Sequence, residues 1–419
     1  MIDKKLEKII QEHFQKKQIK FIPGKTRIPL AVPAYSHEEV ISALESLLST
    51  RVTMGKKVNQ FEKKFCDYIG TRYGIMVNSG SSANLLALSV LTNPIMENPI
   101  KNNSSIITPA ITWATTVSPI VNVGCKPLFV DVDLDTFCVN IDAVRESINR
   151  EVSCILPVHL LGNPCDMKQI MEIANEKNLY VVEDSCEAHG ATINGKKVGT
   201  FGDISTFSFF LSHHITTIEG GMLVTNNESI SEIAKSLRAF GWTRELKNKE
   251  KINSEYPNID PRFLFINIGF NMRPTEIQGA FGINQIKKLD EFIKIRRKNA
   301  RYWNEILEKY SDYLVLPKKN LENQVFFGYG LIIKNNAPFS REEFTRFLES
   351  NLIETRPIMA GNYVDQPVSK LINWQKHDSL TNSELIMKNG FFIGNHQMIK
   401  EKEREYVGQI FEKFLKANI

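Results

Sequence analysis

Residues 153–184 read SCILPVHLLGNPCDMKQIMEIANEKNLYVVED, which is two short apolar runs on either side of a stretch with helical periodicity. The runs at 153–158 and 179–184 have the length and composition of buried strands, and 166–178 is typical of an amphipathic helix. Strands that alternate with helices in this way pair parallel in one sheet. This stretch therefore predicts the core of an α/β domain.

The same alternation extends in both directions along the chain. Further strand-like runs lie at 75–78, 105–108, 127–132, 205–209 and 222–225, and further helices are predicted at 82–91 and 229–240. The pattern predicts a mostly parallel, seven-stranded sheet covered by helices on both faces. Ligands of such sheets bind beyond the carboxyl ends of the strands, so polar residues at those ends are the first candidates for a site.

Three regions follow from the patterns outside this core. An amphipathic helix begins the chain, a polar and irregular loop covers 241–268, and a long helical pattern runs from Thr275 to about Leu307. The last hundred residues combine a strand-like run at 326–333 with amphipathic helices at 341–351 and 401–416. We predict a helical arm (1–30), a large cofactor-binding α/β domain (31–270), and a long linking helix with a small α/β domain (271–419).

The composition excludes several classes of protein. The 419 residues are 42% hydrophobic and 24% charged, with a net charge of +5, as in an ordinary globular protein with no nucleic-acid surface. No apolar run is long enough to span a membrane, and the N-terminus lacks the apolar run of a signal peptide. The six scattered cysteines fit reduced thiols in a cytoplasmic protein.

Polar motifs stand where three of the predicted strands end. Residues 78–84 (NSGSSAN) offer Gly80, Ser81 and Ser82 at the start of a helix, where free N–H groups can bind a phosphate, although an ordinary helix cap explains the same residues. Trp113 follows the next strand and is either a half-buried core residue or a ring that stacks on a ligand. Asp184 ends a third strand, where an acid is either a helix cap or a partner for a cationic ligand.

The segment 208–221 (SFFLSHHITTIEGG) resembles the cofactor-lysine segment of the DegT/DnrJ/EryC1/StrS family of sugar aminotransferases, which use pyridoxal phosphate. In that family a lysine forms a Schiff base with the cofactor. His213 stands at the lysine's position, and an imidazole cannot form an imine, although it can transfer protons. The resemblance extends from about residue 30 to the C-terminus and implies the aspartate aminotransferase-like fold called fold type I.

The family resemblance also implies roles for the strand-end residues. Gly80, Ser81, Ser82 and Ser208 correspond to the residues that hold the cofactor phosphate, Trp113 to an aromatic that stacks on the ring, and Asp184 to the acid that pairs with the pyridinium nitrogen. Asn271 corresponds to a residue that reaches the phosphate of the neighbouring subunit, which implies a homodimer with shared active sites. Glu187 stands where the family usually has glutamine, and its role stays open.

Histidine in place of lysine is a feature of the nucleotide-sugar 3-dehydratase branch of the family. The doublet His213-His214 and residues 354–362 (ETRPIMAGN) also resemble that branch. The resemblance makes His213 the catalytic base, while His214, Arg356 and Asn362 are candidates for substrate contacts. Arg356 fits a substrate diphosphate or an ordinary salt bridge equally well.

One kind of 3-dehydratase also carries a [2Fe–2S] cluster, which needs four thiolates or near equivalents. No cysteine follows Cys186 in this chain, so we expect no iron–sulfur cluster and no other metal. The cluster-free kind implies L-glutamate as amino donor and a nucleotide-linked 4-keto-6-deoxy sugar, GDP-4-keto-6-deoxy-D-mannose, as substrate for deoxysugar biosynthesis. The alternatives are a 4-aminotransferase with an unusual base and a non-catalytic protein that binds pyridoxal or pyridoxamine phosphate.

Overall fold

The computed structural model describes residues 2–16, 20–317 and 321–419. The strands are β1 Tyr73–Val77, β2 Ser105–Pro109, β3 Lys126–Val130, β4 Val152–Ile155, β5 Tyr180–Asp184, β6 Thr192–Ile193, β7 Lys196–Lys197, β8 Ile204–Ser208, β9 Gly221–Thr225, β10 Leu314–Val315, β11 Gly328–Ile333, β12 Thr355–Pro357, β13 Gln375–Lys376 and β14 Gly390–Gly394. The α-helices are α1 Lys4–Lys16, α2 His37–Leu48, α3 Lys56–Ile69, α4 Gly80–Leu91, α5 Ala114–Asn122, α6 Ile141–Ser147, α7 Met167–Lys177, α8 Glu228–Arg238, α9 Lys249–Glu255, α10 Glu276–Gln285, α11 Leu289–Leu307, α12 Arg341–Ser350, α13 Thr381–Asn389 and α14 Glu401–Asn418.

The large sheet has the strand order β1-β9-β8-β5-β4-β2-β3-β13. β9 runs antiparallel to both of its neighbours, and the other pairs are parallel. All seven predicted strands are present, which confirms the α/β class. The sheet has eight strands instead of seven because β13 joins its edge beside β3. A strand of two polar residues has no hydrophobic pattern, so the sequence could not predict it.

Local sequence explains why α4 and α7 begin where they do. The hydroxyl of Ser79 accepts a hydrogen bond from the N–H of Ser82 at the start of α4. The carboxylate of Asp166 accepts one from the N–H of Gln169 at the start of α7, and Asn178 ends that helix in a left-handed conformation. Such caps satisfy N–H and C=O groups that a helix end leaves free. The Ser79 cap starts α4 directly after β1, at the carboxyl edge of the sheet.

The long helical pattern from Thr275 to Leu307 is interrupted in the structure. α10 and α11 are separated by a 3₁₀ turn at Ile286–Lys288. Lys288 binds the buried carboxylate of Glu39, and the side-chain amide of Gln285 binds the same carboxylate and the carbonyl of Ala34. These partners lie about 250 positions away in the chain, so local periodicity could not reveal the interruption.

The C-terminal part of the chain contains an antiparallel sheet with the order β10-β11-β14-β12, next to α12 and α14. The chain also returns to the large sheet, where Asn382 and Ser383 donate to the carboxylate of Asp131. The domain boundaries at 30 and 270 stay a prediction. The 241–268 segment contains the short helix α9, and no helix in the described residues is long and apolar enough to cross a membrane.

Candidate active site

Asp184 lies at the carboxyl end of β5 and is 4% exposed. Its Oδ2 accepts hydrogen bonds from Asn84 Nδ2 (3.0 Å) and Thr116 Oγ1 (2.8 Å), and its Oδ1 accepts one from the N–H of Cys186 (3.2 Å). Asn84 is held in turn by Thr206 and by the carbonyl of Thr115. Three donors satisfy this buried carboxylate and hold it in one orientation.

The first turn of α4 packs directly on Ser208 at the end of β8. A Cβ atom added to Gly80 would lie 2.5 Å from the Cβ of Ser208 and 2.8 Å from its hydroxyl, so only glycine fits there. The structure thereby brings the predicted phosphate residues Gly80–Ser82 and Ser208 together. Helix N–H groups beside a hydroxyl form a site for an anion.

Trp113 precedes α5 and is 57% exposed. Buried Thr112 and Thr116 flank it in sequence and bond to each other at 2.9 Å, and Thr116 in turn bonds to Asp184. The sequence also allowed Trp113 to be a half-buried core residue, and its exposure shows that it is not. An exposed aromatic at the carboxyl edge of a sheet is available to stack on a flat ligand.

His213 belongs to a layer of three histidines. Its ring centroid lies 6.1 Å from that of His189 and 5.2 Å from that of Phe327, and His214 lies 5.4 Å from His189. His214 Nε2 donates to the carbonyl of Val325 (3.0 Å), whereas the Nδ1 atom of His213 has no hydrogen-bond partner in the part of the chain that the structure describes. Burial, assisted by the charge of Arg296, lowers the pKa of His213 to about 3. The imidazole is neutral at physiological pH and can accept a proton.

Glu187 follows β5 and contacts a neighbouring crossover. Its Oε2 accepts a hydrogen bond from the N–H of Leu161 (2.7 Å). Burial, together with the nearby charge of Asp184, raises the pKa of Glu187 to about 8. Glu187 is therefore protonated at neutral pH. Its carboxyl group then carries a hydroxyl where the family's usual glutamine carries an amide NH₂.

The remaining predicted residues lie less centrally. Asn271 is exposed and accepts from Arg273 Nε, and the carbonyl of its neighbour Met272 accepts from Asn78 beside the phosphate turn. Asn362 is 1% exposed, donates to Asp365 and packs beside Ile111, close to Trp113 in sequence. Arg356, 55% exposed in its side chain, forms an ion pair with Glu354 (2.9 Å). No contact of the described residues joins Arg356 to the Asp184 network.

Sequence reasoning assigned no role to Asn84, Thr116 or Arg296. Asn84 and Thr116 hold the Asp184 carboxylate, and Arg296 is a buried cation near His213. For Asn84 a signal existed, because it is a polar residue among the apolar side chains of α4. Arg296 lies on a helix rich in surface charges, where nothing in the sequence distinguishes it from its neighbours.

Of the six cysteines, Cys186 is partly exposed and the other five are buried. Within the described residues no group of three or more histidine, cysteine, aspartate or glutamate side chains is arranged to hold a metal ion. The prediction that the protein holds no cluster still needs a direct measurement of iron.

Residues 34–412 match the DegT/DnrJ/EryC1/StrS aminotransferase family, and the chain belongs to that family. It is 38% identical over 390 residues to GDP-4-keto-6-deoxy-D-mannose 3-dehydratase of Yersinia pseudotuberculosis, covering 92% of this chain and 98% of the relative. It is 39% identical to the protein of the same name from Escherichia coli O55:H7, covering 92% and 99%. A solved structure of GDP-4-keto-6-deoxymannose-3-dehydratase with a trapped PLP-glutamate geminal diamine matches with a TM-score of 0.86 at 38% identity, covering 91% and 99%.

Proposed function

We propose that this protein is a pyridoxal phosphate-dependent 3-dehydratase of a GDP-linked 4-keto-6-deoxy sugar, with GDP-4-keto-6-deoxy-D-mannose as the substrate. The observation that carries the proposal is the grouping of Asp184, Ser208 and the Gly80 turn, with His213 at the position of the family's tethering lysine. Relatives with this activity by name cover almost the whole chain. The reaction would consume L-glutamate and a nucleotide sugar, and we propose that the enzyme works in the cytoplasm, where both are made.

The residues present fit pyridoxal phosphate. Gly80–Ser82 and Ser208 would hold its phosphate, Trp113 would stack on its ring, and Asp184 would pair with its pyridinium nitrogen. When bound, the cofactor withdraws electrons from the carbon that loses a proton. Asp184 is suited to this pairing because hydrogen bonds from Asn84 and Thr116 fix the orientation of its carboxylate. Asn271 of the neighbouring subunit would complete the phosphate site in a homodimer.

His213 would act as the base that moves the proton. Its imidazole is neutral, lies in the segment between β8 and β9, and has no hydrogen-bond partner at Nδ1 among the described residues. A lysine here would bind the cofactor covalently and favour net amination of the sugar. Histidine transfers protons without that bond, so the amine is released as ammonia and the C3 hydroxyl is lost.

The overall reaction balances without an added reductant. Oxidation of glutamate to 2-oxoglutarate and ammonia supplies two electrons, and these reduce the sugar at C3 as its hydroxyl leaves. The water formed at C3 is consumed in the release of ammonia. Arg356 and Asn362, with His214 behind His213, are the candidates for positioning the nucleotide sugar.

The decisive experiment incubates the enzyme with pyridoxal phosphate, L-glutamate and GDP-4-keto-6-deoxy-D-mannose and analyses the products by mass spectrometry. We expect a sugar lighter by one oxygen, with ammonia and 2-oxoglutarate in equal amounts. A stable amino sugar would identify a 4-aminotransferase instead. Cofactor binding without glutamate turnover would identify a non-catalytic protein. The analogous dTDP- and CDP-linked sugars serve as controls for nucleotide specificity.

A further inference from the structure

Arg296 is a buried cation without a buried acid beside it. It lies on α11, is 2% exposed, and no carboxylate pairs with it in the described parts of the chain. Its Nη1 instead lies within hydrogen-bonding distance of the carbonyls of Phe326 (2.9 Å), Phe327 (3.1 Å) and Asn395. Burial of a guanidinium without a counter-ion costs free energy. Here the guanidinium is hydrogen-bonded mainly to the carbonyls of a loop.

That loop is the segment 325–327, which precedes β11, and it is fixed from three directions. Arg296 binds two of its carbonyls, and His214 Nε2 donates to the carbonyl of Val325. The N–H groups of Val325 and Phe327 donate to the carbonyls of Gly162 (3.1 Å) and Leu161 (3.0 Å). Phe326 is held at a φ of +48°, a conformation that non-glycine residues adopt only where their surroundings impose it.

The loop connects the two functional side chains at this end of the site. The Phe327 ring contacts the imidazole of His213 at 5.2 Å between centroids. The N–H of Leu161, whose carbonyl binds Phe327, donates to Glu187. A displacement of the 325–327 loop would therefore move the surroundings of His213 and Glu187 together.

We propose that Arg296 is a positioning residue for His213: it holds the 325–327 loop against Leu161 and Gly162 and so sets the Phe327 ring against the imidazole. This inference rests on the proposed function, because it assumes that His213 is the base. Among the described residues Nδ1 of His213 has no hydrogen-bond partner, so the ring is oriented by packing, and Phe327 is its nearer aromatic contact.

The charge of Arg296 acts in the same direction as the packing. The other ionisable groups that face His213 are His189, from the segment after β5, and His214, next to it in the chain; Phe327 presents an apolar face. His396 is a further histidine near Arg296. Burial and the positive charge of Arg296 lower the pKa values of His396 and of the three histidines in the layer, so all four imidazoles stay neutral. Removal of Arg296 is expected to raise the pKa of His213.

The test uses Arg296→Met, Phe327→Leu and the control Arg297→Met in the full-length, cofactor-loaded enzyme. Arg297 is the next residue of α11 and donates to the carbonyl of Gln324 (2.8 Å), so its loss perturbs the residue before the loop and leaves the Arg296 contacts with Phe326 and Phe327 in place. Phe327→Leu removes the ring and leaves the backbone hydrogen bonds of the loop in place. If Arg296→Met fails to fold, Phe327→Leu still tests whether the Phe327 ring positions His213.

We expect kcat for dehydration to fall about 10²-fold in Arg296→Met and Phe327→Leu, because small displacements of a catalytic group have effects of that size. The acidic limb of the pH profile should move to higher pH in Arg296→Met, since a base with a raised pKa loses its neutral form at higher pH. Arg297→Met should keep the parental kcat and pH profile. Parental values in both Arg296→Met and Phe327→Leu, or an equal loss in Arg297→Met, would overturn the proposal.

A second measurement separates this inference from the proposed reaction. Modification of His213 by diethyl pyrocarbonate, followed by mass spectrometry against pH, reports its protonation without turnover. We expect the midpoint to rise in Arg296→Met and to stay unchanged in Arg297→Met, whatever reaction the enzyme catalyses. If these shifts occur in an enzyme that transaminates but does not dehydrate, the positioning role stands and the proposed reaction is wrong. An unshifted midpoint in Arg296→Met overturns the positioning role.

Discussion

The two sides of the candidate active site differ in how their polar atoms are satisfied. On one side, the Asp184 carboxylate accepts three hydrogen bonds from residues that are themselves held by further bonds. On the other, Nδ1 of His213 has no hydrogen-bond partner among the described residues. Unsatisfied buried polar atoms are costly and therefore uncommon in native proteins.

The difference matches the roles that we propose, with Asp184 in the cofactor-binding platform and His213 as the reacting group. A carboxylate that must keep one charge and one orientation is best served by a complete network. A histidine that transfers protons needs at least one ring nitrogen free to accept them. The Asp184 side should therefore respond to mutation through cofactor affinity and stability, and the His213 side through the rate of reaction.

The largest effect should come from His213→Asn. We expect dehydration to fall by at least about 10²-fold, because the amide cannot replace the imidazole in proton transfer. Cofactor affinity should remain near the parental value, since the Asp184 network and the Gly80–Ser208 contact are untouched. Steady-state kinetics and a cofactor titration measure the two quantities. A loss of cofactor binding as large as the loss of rate would remove the distinction between the two sides.

The complementary variant on the Asp184 side is Thr116→Val. It removes one hydrogen bond to a buried carboxylate, which should lower the free energy of unfolding by about 1–3 kcal/mol and weaken cofactor binding. The neighbouring variant Thr115→Val leaves the Asp184 contacts in place and should be close to the parent in both properties. Urea denaturation and a spectroscopic cofactor titration compare the pair. Equal behaviour of the two variants would show that the network is not what fixes Asp184.

Glu187→Gln should change the pH dependence of stability. The pKa of Glu187 is raised from its ordinary 4.5 to about 8, so the folded state binds a proton that the unfolded state has released between those values. The contribution of Glu187 to the free energy of unfolding of the parent is therefore lost as pH rises through this window. Glu187→Gln should lack this loss, and the exposed control Glu172→Gln should retain it. Denaturation at about pH 5 and about pH 9 measures the difference, and parallel curves for parent and Glu187→Gln would contradict it.

Borohydride treatment should leave the cofactor unattached to the parental chain. No lysine lies between Lys197 and Lys235, and His213 cannot form an imine. His213→Lys is the positive control, because its amine can capture the cofactor and should become labelled in a peptide containing residue 213. It should still dehydrate the sugar more slowly than the parent. A cofactor fixed to any lysine of the parent, or parental dehydration by His213→Lys, would make the histidine incidental.

Anaerobic purification should yield protein without iron or acid-labile sulfide. Cys186 is the one cysteine that follows β5 in the sequence, and a cluster needs four thiolates or near equivalents. Iron and sulfide assays on the isolated protein measure this directly. Iron in stoichiometric amount would contradict the prediction and would assign the enzyme to the cluster-dependent kind of 3-dehydratase.

Much of the fold and the centre of the site could be predicted from sequence because their signals are local. Each of the first seven strands of the large sheet is a short apolar run, and a parallel sheet brings the ends of such runs to one edge. Asp184, Ser208 and the Gly80 turn come together for that reason. The sequence itself shows histidine at position 213, where the rest of the motif predicts a lysine.

Sequence alone determined the α/β class, the strand-end residues and the identity of the group at 213, because residue type and spacing within a few positions fix these. Only the tertiary structure determined the eighth strand, the interruption before α11, the surroundings of Asp184 and the Arg296 contacts with the 325–327 loop. Each of these depends on partners tens to hundreds of positions apart, which no local pattern encodes. The burial that sets the pKa values of His213 and Glu187 belongs to the same category, because it exists only once those distant segments have packed together.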